Sequence, residues 1–454
     1  MQKLTTDDII KATGGTLVCG GKKDICDITT DSRKAKSGSL FIPLAGERFD
    51  GHDFIGQAFS GGADAVVTHK DIPNVDKKTI IRVGNTQKAL ADIARYYKQK
   101  YNVPTVSVTG SVGKTTTKDM IHSVLSMKYN TLKTEGNFNN EIGLPLTVLR
   151  LEEETEAAVI EMGMSHFGEI ERLASVAMPD AAVITNIGMS HIENLGSQEG
   201  IFKAKMEVTK LFDKHNVLIV NGDDKFLSHT KGLGDYRVIY YGITNPENDV
   251  YAKDIVNKGI DGTEFTAVTD SGEYRITVNS AGEHNVYNAL AAICVGLEFK
   301  VPPEKIIEGI KNFKLTAMRM SVEEKDGVTI INDCYNASPD SIRAALKVLG
   351  SVSGKRRVAV LGDVLEMGDF APDAHYGLGK DVVNSADVLI TAGKNAEFIA
   401  KGAKALDMSE VYSFADTDGA CGFAKDYVKS GDAVLIKASR GMHFEKIYNA
   451  LTEK

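Results

Sequence analysis

Cysteine and proline are scarce in this sequence. The 454 residues include five cysteines, an odd number with neither a CxxC pair nor zinc-ligand spacing. We therefore expect reduced thiols, as in a cytosolic protein, and the length excludes a small disulfide-stapled scaffold. With 10 prolines, 43 glycines and 43% hydrophobic residues, the composition is that of a soluble globular protein and excludes collagen-like and disordered chains.

Long apolar runs and basic runs are missing as well. The best apolar run, 289–297, is about half as long as a bilayer-spanning helix, so we expect no membrane insertion. No Lys/Arg run reaches roughly five residues, and the formal net charge is -8, so we expect no nucleic-acid partner. Residues 1–8 include acidic side chains where a signal peptide would be apolar, which predicts a cytoplasmic protein.

The pattern of apolar segments predicts three domains of the α/β class, in agreement with the length. Residues 1–83 alternate short apolar pieces with Gly and Asp turns. Residues 84–313 alternate strand-like runs with helical stretches, which is typical of a mostly parallel sheet, and the alternation restarts over 314–454. The predicted elements are helices at 86–101, 201–212 and 284–299 and strands at 103–109, 157–161, 181–185, 217–220, 328–331, 357–361, 387–391 and 433–437.

A Gly-rich turn lies between the first strand of the second domain and a predicted helix. It reads Thr109, Gly110, Ser111, Val112, Gly113, Lys114, Thr115, Thr116 and Thr117. Glycines let backbone N–H groups converge on phosphate oxygens, Lys114 adds a point charge, and the Thr115 hydroxyl can ligate Mg²⁺. The pattern is the shorter GxxGK[ST] form, because Val108 stands where the longer P-loop has glycine. The flanking strand and helix favour ATP or GTP binding over a turn with an incidental lysine.

Candidate metal ligands follow the next two predicted strands. Glu161 ends the strand 157–161, and His191 follows the strand 181–185. The carboxyl ends of parallel strands share the edge at which open α/β sheets bind ligands. This shared edge is the only reason to prefer a ligand role for the two residues over an ordinary structural role in a loop. Lys205 lies on the helical stretch 201–212, where a solvent-exposed lysine is the default expectation.

Seven segments, read in order, resemble the motifs of the Mur ligases of peptidoglycan synthesis, and the resemblance covers essentially the whole chain. The segments are 109–117, 135–145, 161–163, 185–188 with His191, 284–292, 332–341 and 361–368. Each motif alone is weak, whereas seven in order are specific.

The resemblance implies an N-terminal domain for the UDP end of a nucleotide sugar, a central ATPase-like domain and a C-terminal Rossmann-like domain that closes over the site. It implies ATP-dependent, Mg²⁺-dependent amide formation through an acyl phosphate. The implied small-molecule substrates are UDP-N-acetylmuramoyl-tripeptide and D-alanyl-D-alanine, and the implied assembly is a monomer.

The resemblance also assigns the phosphate and metal residues. Lys114 contacts the phosphates, Thr115 and Glu161 hold one Mg²⁺, and Glu161 with His191 belong to the surroundings of a second metal. Lys205 aligns with a lysine that is carbamylated in much of the family. Carbamylation converts an ammonium into a carboxylate-like anion that can bind Mg²⁺, whereas an unmodified surface lysine is the alternative.

Further ATP contacts are implied from the central and C-terminal domains. Asn285 and Asn288 lie three positions apart on one helical face and approach adenine. Asp333 approaches the ribose hydroxyls, and Arg319 approaches the γ-phosphate, where a planar guanidinium suits a developing metaphosphate. Met318 precedes Arg319 where many relatives have glycine, so the backbone there departs from the family pattern. The ATP-binding set is Thr109, Gly110, Ser111, Val112, Gly113, Lys114, Thr115, Thr116, Asn285, Asn288, Arg319 and Asp333.

The resemblance places the remaining substrate contacts in three groups. The UDP end is assigned to Ser32, Arg33 and Arg48. The muramoyl or peptide portion is assigned to Asn137, Asn139 and Asn140. The dipeptide is assigned to Asn336 and Ser338, together with Lys437, Ser439 and Arg440 near the C-terminus.

Three alternatives stay open at this point. A sibling ligase would add the third amino acid, but its DNPR-type motif is not found, and the segment 335–339 resembles the dipeptide-adding branch. A folylpolyglutamate synthetase is disfavoured by the segment 30–54, which resembles a UDP-sugar site. A nucleotide-gated switch is disfavoured, because a switch without ligase activity would need neither the acidic and histidine cluster nor Arg319.

Overall fold

The computed structural model describes residues 1–46, 49–73 and 75–453. Three α/β units follow one another along the chain, and their main sheets have five, nine and six strands. This three-domain α/β architecture confirms the predicted fold class. The boundaries after residues 83 and 313 stay predictions.

The N-terminal unit is a mixed five-stranded sheet with a separate two-stranded ribbon. Its elements are β1 (Leu4–Thr5), α1 (Thr6–Thr13), β2 (Thr16–Cys19), β3 (Asp24–Ile25), β4 (Asp27–Thr29), β5 (Ser39–Phe41), α2 (Ile55–Ser60), β6 (Ala65–Thr68) and β7 (Thr79–Arg82). Strands β4 to β7 are parallel neighbours, and β2 pairs antiparallel with β7. Helix α1 begins with a capping box between Thr5 and Asp8, which satisfies backbone donors that a helix start leaves unpaired.

The central unit is a nine-stranded sheet covered by helices on both faces. Its elements are α3 (Thr86–Lys100), β8 (Thr105–Thr109), α4 (Lys114–Leu125), β9 (Thr131–Lys133), α5 (Gly143–Val148), β10 (Ala157–Glu161), α6 (Glu169–Ala177), β11 (Ala181–Ile184), α7 (Ile192–Leu195), α8 (Gln198–Met206), β12 (Val217–Asn221), β13 (Arg237–Gly242), β14 (Val250–Asn257), β15 (Thr263–Thr269), β16 (Gly272–Val278), α9 (His284–Glu298) and α10 (Pro303–Lys311). Strands β9 to β14 and β8 run parallel, and β15 and β16 add an antiparallel edge.

Strand β8 lies between β10 and β11 in this sheet. All three strands are fully buried, because α4 and α9 pack on one face and α3, α5 and α6 cover the other. Their carboxyl ends therefore bring the loops after Thr109, Glu161 and Ile184 to one edge of the sheet.

The C-terminal unit is a six-stranded sheet in which only the edge strand β17 runs antiparallel. Its elements are β17 (Ser321–Lys325), β18 (Val328–Asn332), α11 (Pro339–Gly350), β19 (Arg356–Gly362), α12 (Ala371–Ser385), β20 (Val388–Ala392), α13 (Ala396–Lys404), β21 (Val411–Phe414), α14 (Thr417–Tyr427), β22 (Asp432–Lys437) and α15 (Glu445–Thr452). The strand order is β17-β18-β22-β19-β20-β21. Apolar side chains of α11 to α13 pack on one face and those of α14 and α15 on the other, which is a Rossmann-like arrangement.

Each predicted element agrees with the structure to within a few residues. The strand predicted at 103–109 begins at Thr105, directly after Pro104, and the helical stretch predicted at 201–212 is α8 followed by a short 3₁₀ turn at Glu207–Thr209. Strands β13 to β17 are not among the predicted elements. Buried side chains alternate with less buried ones along β14 and β15, and β17 has no buried side chain, so these three strands lack a continuous apolar run. Among the described residues, no helix has the length and apolar character that a membrane span requires.

Candidate active site

The phosphate loop connects β8 to the first turn of α4. Gly110 has φ 147° and Gly113 has φ 87°, and a Cβ on Gly110 would lie 1.8 Å from Thr185 Oγ1. Position 110 therefore requires glycine, because its positive φ is unfavourable for other residues and because no space is left for a Cβ atom. The residues after β11 support the loop from below: Asn186 Oδ1 accepts a hydrogen bond from Val112 N at 2.9 Å, and Thr185 Oγ1 donates to Val112 O at 2.6 Å.

Lys114 and Thr115 begin helix α4 at the base of this loop. The Lys114 ammonium donates to Gly110 O at 2.8 Å, and burial lowers its pKa. Thr115 Oγ1 donates to Glu161 Oε1 at 3.3 Å and accepts a hydrogen bond from Arg319 Nη2 at 3.2 Å. The loop lysine, a hydroxyl, a carboxylate and a guanidinium thus converge at one helix N-terminus, which is a favourable place for phosphate.

Glu161 is the carboxylate of this cluster and is 2% exposed. Its Oε1 accepts a hydrogen bond from Asn139 Nδ2 at 2.8 Å. Its Oε2 has no hydrogen-bond partner among the described residues and lies 3.9 Å from Lys118 Nζ. A carboxylate with one buried oxygen free of hydrogen bonds, and with the other in contact with a threonine hydroxyl, offers the oxygen donors that Mg²⁺ prefers.

A cavity of about 370 Å³ lies over the loop, between the central and C-terminal units. It brings together most of the predicted ATP, metal and peptide residues. These are Ser111, Val112, Gly113, Lys114, Thr115, Thr116, Asn137, Asn139, Asn140, Glu161, His191, Asn285, Asn288, Arg319, Asp333, Asn336, Ser338 and Lys437. A second cavity of about 400 Å³ opens on the other side of Val112 and Gly113 and shares His284 and Asn288.

Arg319 reaches the phosphate loop from the segment that precedes β17. Its guanidinium carbon lies 4.0 Å from the centre of the Tyr335 ring, a cation–π contact that holds the plane of the group. Met318 has φ 61°, in the left-handed region that glycine adopts most easily. The Met318 departure is therefore accommodated by an uncommon backbone conformation, and Arg319 still contacts Thr115.

His191 is paired with Glu366, a residue of the C-terminal unit. His191 Nδ1 is in ion-pair contact with Glu366 Oε2 and lies 3.4 Å from Ser165 Oγ. The hydrogen bond from His191 holds the pKa of Glu366 below its ordinary value. Sequence reasoning did not single out Glu366, although it lies within the 361–368 motif that carried the resemblance.

Lys205 is buried, which corrects the expectation of a surface lysine. It is 2% exposed on helix α8, and no hydrogen bond or ion pair to its ammonium is found among the described residues. Burial and the nearby charge of Lys114 place its pKa well below the ordinary lysine value. The exposed lysine of this helix is Lys203. No local sequence pattern distinguishes these two lysines, because the difference depends on the packing of α8.

Asn285 and Asn288 lie on one face of α9, as predicted from their spacing. The Asn285 amide donates to Ser280 Oγ and Ala281 O, and Asn288 donates to Asn285 Oδ1 at 2.9 Å. Asn288 Oδ1 accepts a hydrogen bond from Thr117 Oγ1 at 2.8 Å. Both amides are therefore bonded within the protein and tie α9 to the helix that carries the phosphate loop.

Asp333 and Lys437 form a buried ion pair at the third-domain side of the cavity. Asp333 Oδ1 also accepts a hydrogen bond from Met320 N at 3.0 Å. His284 lies near this pair, and burial lowers its pKa to about 4. A neutral imidazole is therefore present at neutral pH.

The remaining dipeptide residues are held by contacts of the C-terminal unit. Asn336 Oδ1 accepts a hydrogen bond from Arg440 N at 3.3 Å. Ser338 caps helix α11, and Ser439 Oγ accepts from Leu365 N at 2.9 Å. Asn336 and Ser338 line the 370 Å³ cavity. Ser439 and Arg440 are not among the described residues that line it.

Ser32 and Arg33, two of the three predicted UDP-sugar residues, do not line this cavity. Ser32 is buried and donates to Gln57 Oε1 at 2.7 Å. The Arg33 guanidinium donates two hydrogen bonds to the Asp31 carboxylate, and its side chain is 79% exposed. Arg48 lies outside the described residues. None of the described cavity-lining residues comes from the segment 1–83.

The fold and the site define a class of enzyme that uses a nucleoside triphosphate between two α/β domains. Three family models match the chain: the Mur ligase family catalytic domain at residues 24–98, the Mur ligase middle domain at 108–296 and the Mur ligase glutamate ligase domain at 318–440. The chain belongs to the Mur ligase family.

The similar proteins cover nearly all or all of this chain. The UDP-N-acetylmuramoyl-tripeptide–D-alanyl-D-alanine ligase of Bacillus subtilis is 43% identical over 460 residues, with 100% of this chain and 99% of the relative covered. A MurF crystal structure from Acinetobacter baumannii has a TM-score of 0.93 at 32% identity, covering 100% of both chains. A MurF ligase from Thermotoga maritima in complex with ADP has a TM-score of 0.84 at 29% identity, covering 94% of this chain and 97% of the other.

Proposed function

We propose that this protein is an ATP-dependent amide ligase of peptidoglycan synthesis. It joins D-alanyl-D-alanine to UDP-N-acetylmuramoyl-tripeptide and yields UDP-N-acetylmuramoyl-pentapeptide, ADP and phosphate. The observation that carries the proposal is the single cavity in which Lys114, Glu161 and Arg319 converge. The name and the end-to-end match of the Bacillus subtilis relative support the choice of substrates.

The reaction requires activation of a carboxylate, which is a poor electrophile. Transfer of the γ-phosphate to the terminal carboxylate of the tripeptide gives an acyl phosphate with a good leaving group. The amine of the dipeptide attacks this carbonyl carbon, and the tetrahedral intermediate expels phosphate. Lys114 and Arg319 neutralise charge on the transferred phosphoryl group, one from each side of the cavity.

Mg²⁺ fits the oxygen donors at the loop. Thr115 and Glu161 would hold one ion, and Glu161 with His191 would belong to the surroundings of a second. When bound, Mg²⁺ supplies Lewis-acid neutralisation of phosphate charge. No group of three His, Cys, Asp or Glu side chains suited to a metal occurs in the described part of the chain. Mg²⁺ usually keeps several water ligands and binds through one or two carboxylates together with substrate phosphates, and Glu161 would be such a carboxylate.

Carbamylated Lys205 would add an anionic oxygen to this set. An amine must be uncharged to react with carbon dioxide, and a buried lysine without a partner is held in that form. The carbamate would also explain why a lysine is buried here with no carboxylate beside it.

The other substrate contacts follow the same proposal. Asn137 and Asn140 line the cavity on its central-domain side, where the muramoyl or peptide portion would bind, and Asn336 and Ser338 line it on the third-domain side, where the dipeptide would bind. Ser32, Arg33 and Arg48 would hold the UDP end. We also infer that the enzyme acts as a monomer in the cytoplasm, in agreement with its free cysteines.

Phosphate release tests the proposal directly. The protein is assayed with ATP, Mg²⁺ and UDP-N-acetylmuramoyl-tripeptide, with and without D-alanyl-D-alanine, and the product is weighed by mass spectrometry. We expect release that needs both substrates and a product heavier by the dipeptide less water. Release with a single amino acid and the dipeptide-stage precursor would instead identify the sibling ligase, and ATP turnover with no acceptor would favour the switch.

A further inference from the structure

Arg319 is carried by a nine-residue segment, 312–320, which joins α10 to β17 without regular secondary structure. A side-chain hydrogen bond from this segment, made three residues before Arg319, connects it to the central unit. Thr316 Oγ1 donates to Asp119 Oδ2 at 2.6 Å, across 197 positions of the sequence. Asp119 lies on α4, the helix that begins at Lys114 of the phosphate loop.

Asp119 is a rigid anchor for this contact. It is 5% exposed, and its Oδ1 accepts a hydrogen bond from Lys133 Nζ at 2.7 Å and lies 3.3 Å from Lys118 Nζ. Burial opposes ionisation, but these lysines and the Thr316 hydroxyl hold the pKa of Asp119 below its ordinary value. Two lysines therefore fix one carboxylate oxygen and leave the other for Thr316.

The far end of the segment is held by the C-terminal unit. Met318 O accepts a hydrogen bond from Tyr335 N at 3.2 Å, and Met320 N donates to Asp333 Oδ1 at 3.0 Å. Met318 and Met320 both have positive φ, 61° and 55°. Such conformations persist in residues other than glycine where the surroundings over-determine them. Arg319 lies between them, so its direction depends on how both ends of the segment are held.

We propose that Thr316, anchored by Asp119, is a positioning residue that sets the place of Arg319 against the phosphate loop. The hydroxyl couples the start of the C-terminal unit to α4, three residues before the guanidinium that contacts Thr115. The inference rests on the proposed ligase function, because it assigns Arg319 to phosphoryl transfer. Thr316 contacts none of the reacting groups, so its loss should lower kcat and leave ATP binding nearly unchanged.

Two substitutions at Thr316 isolate the hydroxyl. Thr316→Val keeps the branched shape and removes the donor, whereas Thr316→Ser keeps the donor. Thr316 is exposed apart from its hydroxyl contact, so both variants should fold, and the loss of the donor to buried Asp119 Oδ2 in Thr316→Val is expected to lower the stability but not to unfold the protein. We expect Thr316→Val to lower kcat about tenfold with less than about a twofold change in the KM for ATP. Thr316→Ser should stay within about twofold of the parent in both constants.

A double-mutant cycle separates positioning from a general structural role. In an Arg319→Lys background, Thr316→Val should lower kcat by less than about twofold, because the group it positions has already been replaced. Thr452→Val is the matched control, since it removes a threonine hydrogen bond of 3.0 Å to Tyr448 O in the last helix. It should leave kcat unchanged.

Three outcomes overturn the inference: full activity of Thr316→Val, equal losses in the Val and Ser variants, or a full tenfold loss retained in the Arg319→Lys background. All are measured against an active parent enzyme. If the parent itself releases no phosphate with both substrates, the proposed function fails instead. The two failures are therefore distinguishable.

Discussion

Arg319 Nη2 donates a hydrogen bond to Thr115 Oγ1 at 3.2 Å, and the two residues are 204 positions apart in the chain. The same threonine hydroxyl donates to Glu161 Oε1. A guanidinium from the start of the C-terminal unit, a hydroxyl of the phosphate loop and a strand-end carboxylate are thus linked through one oxygen atom. The closeness of the two domains is therefore part of the site, since Arg319 is in place only when they approach each other.

Replacing Arg319 with lysine should lower kcat about a thousandfold with little change in the KM for ATP, as for other arginines that act on a transferred phosphoryl group. Lysine keeps a positive charge, but it loses the planar stacking on Tyr335 and the fork of donors. Steady-state phosphate release measures both constants. Arg237→Lys, at a surface ion pair with Glu298, is the control. An Arg319→Lys enzyme with parental kcat would remove this residue from the chemistry.

Replacing Lys114 with alanine should abolish phosphate release while the protein stays folded. The side chain supplies the point charge at the phosphates, and removal of such a group costs on the order of a thousandfold or more in rate. Circular dichroism and thermal unfolding check the fold, and phosphate release measures the activity. Lys214→Ala, at an exposed lysine after α8, should behave like the parent. Near-normal turnover of Lys114→Ala would contradict the phosphate-loop assignment.

The local parts of the site could be predicted from the sequence. The strand, glycine turn and helix around Lys114 are contiguous, so composition and spacing suffice to place them. Glu161 could also be predicted to face the loop, because the carboxyl ends of parallel strands share one edge. The seven motifs then gave the family and the three-domain organisation. In each case the information lies within a short stretch or in a rule of sheet topology.

The long-range parts could not be predicted in the same way. The burial of Lys205 depends on how α8 packs, and a helical position alone does not reveal it. The contact of His191 with Glu366 joins two domains. The hydrogen bonds that the Asn285 side-chain amide donates could not be predicted either, because their acceptors are Ser280 and Ala281 in the segment before α9. Such contacts follow from tertiary packing, which has no local sequence signal.

His284 should make the stability of the protein depend on pH between about 6.5 and 4. Burial lowers its pKa from 6.5 to about 4, so the unfolded chain binds the proton more readily than the folded one. The contribution of His284 to the free energy of unfolding should therefore fall as the pH drops below 6.5 and level off near pH 4, with a total change on the order of 3 kcal/mol. Urea unfolding at a series of pH values measures the slope.

A His284→Gln variant isolates this contribution, because glutamine does not titrate. Its free energy of unfolding should fall less steeply than that of the parent between pH 6.5 and 4. His215→Gln, at an exposed histidine, should retain the parental slope. Parallel slopes for the parent and His284→Gln would show that burial of His284 does not control its protonation.

Lys205 should carry a carbamate, and the neighbouring Lys203 should not. Lys205 is buried with a pKa far below that of an ordinary lysine, whereas Lys203, two residues away, is exposed. The enzyme incubated with ¹³C-bicarbonate should give a carbamate signal by NMR that disappears in Lys205→Ala and persists in Lys203→Ala. The measurement needs no turnover, so it tests the modification apart from the reaction.

Small carboxylates should partly restore the activity that is lost when the Lys205 carbamate is removed. Lys205→Ala leaves a space beside Lys114 where a small carboxylate can supply the missing negative charge. We expect this variant to lose most of its activity and to recover part of it with formate or acetate, while Lys203→Ala is active and indifferent to both. Chloride at the same ionic strength controls for salt. If Lys205→Ala is as active as the parent, the lysine has no part in the site, and its burial would have to be explained by packing alone.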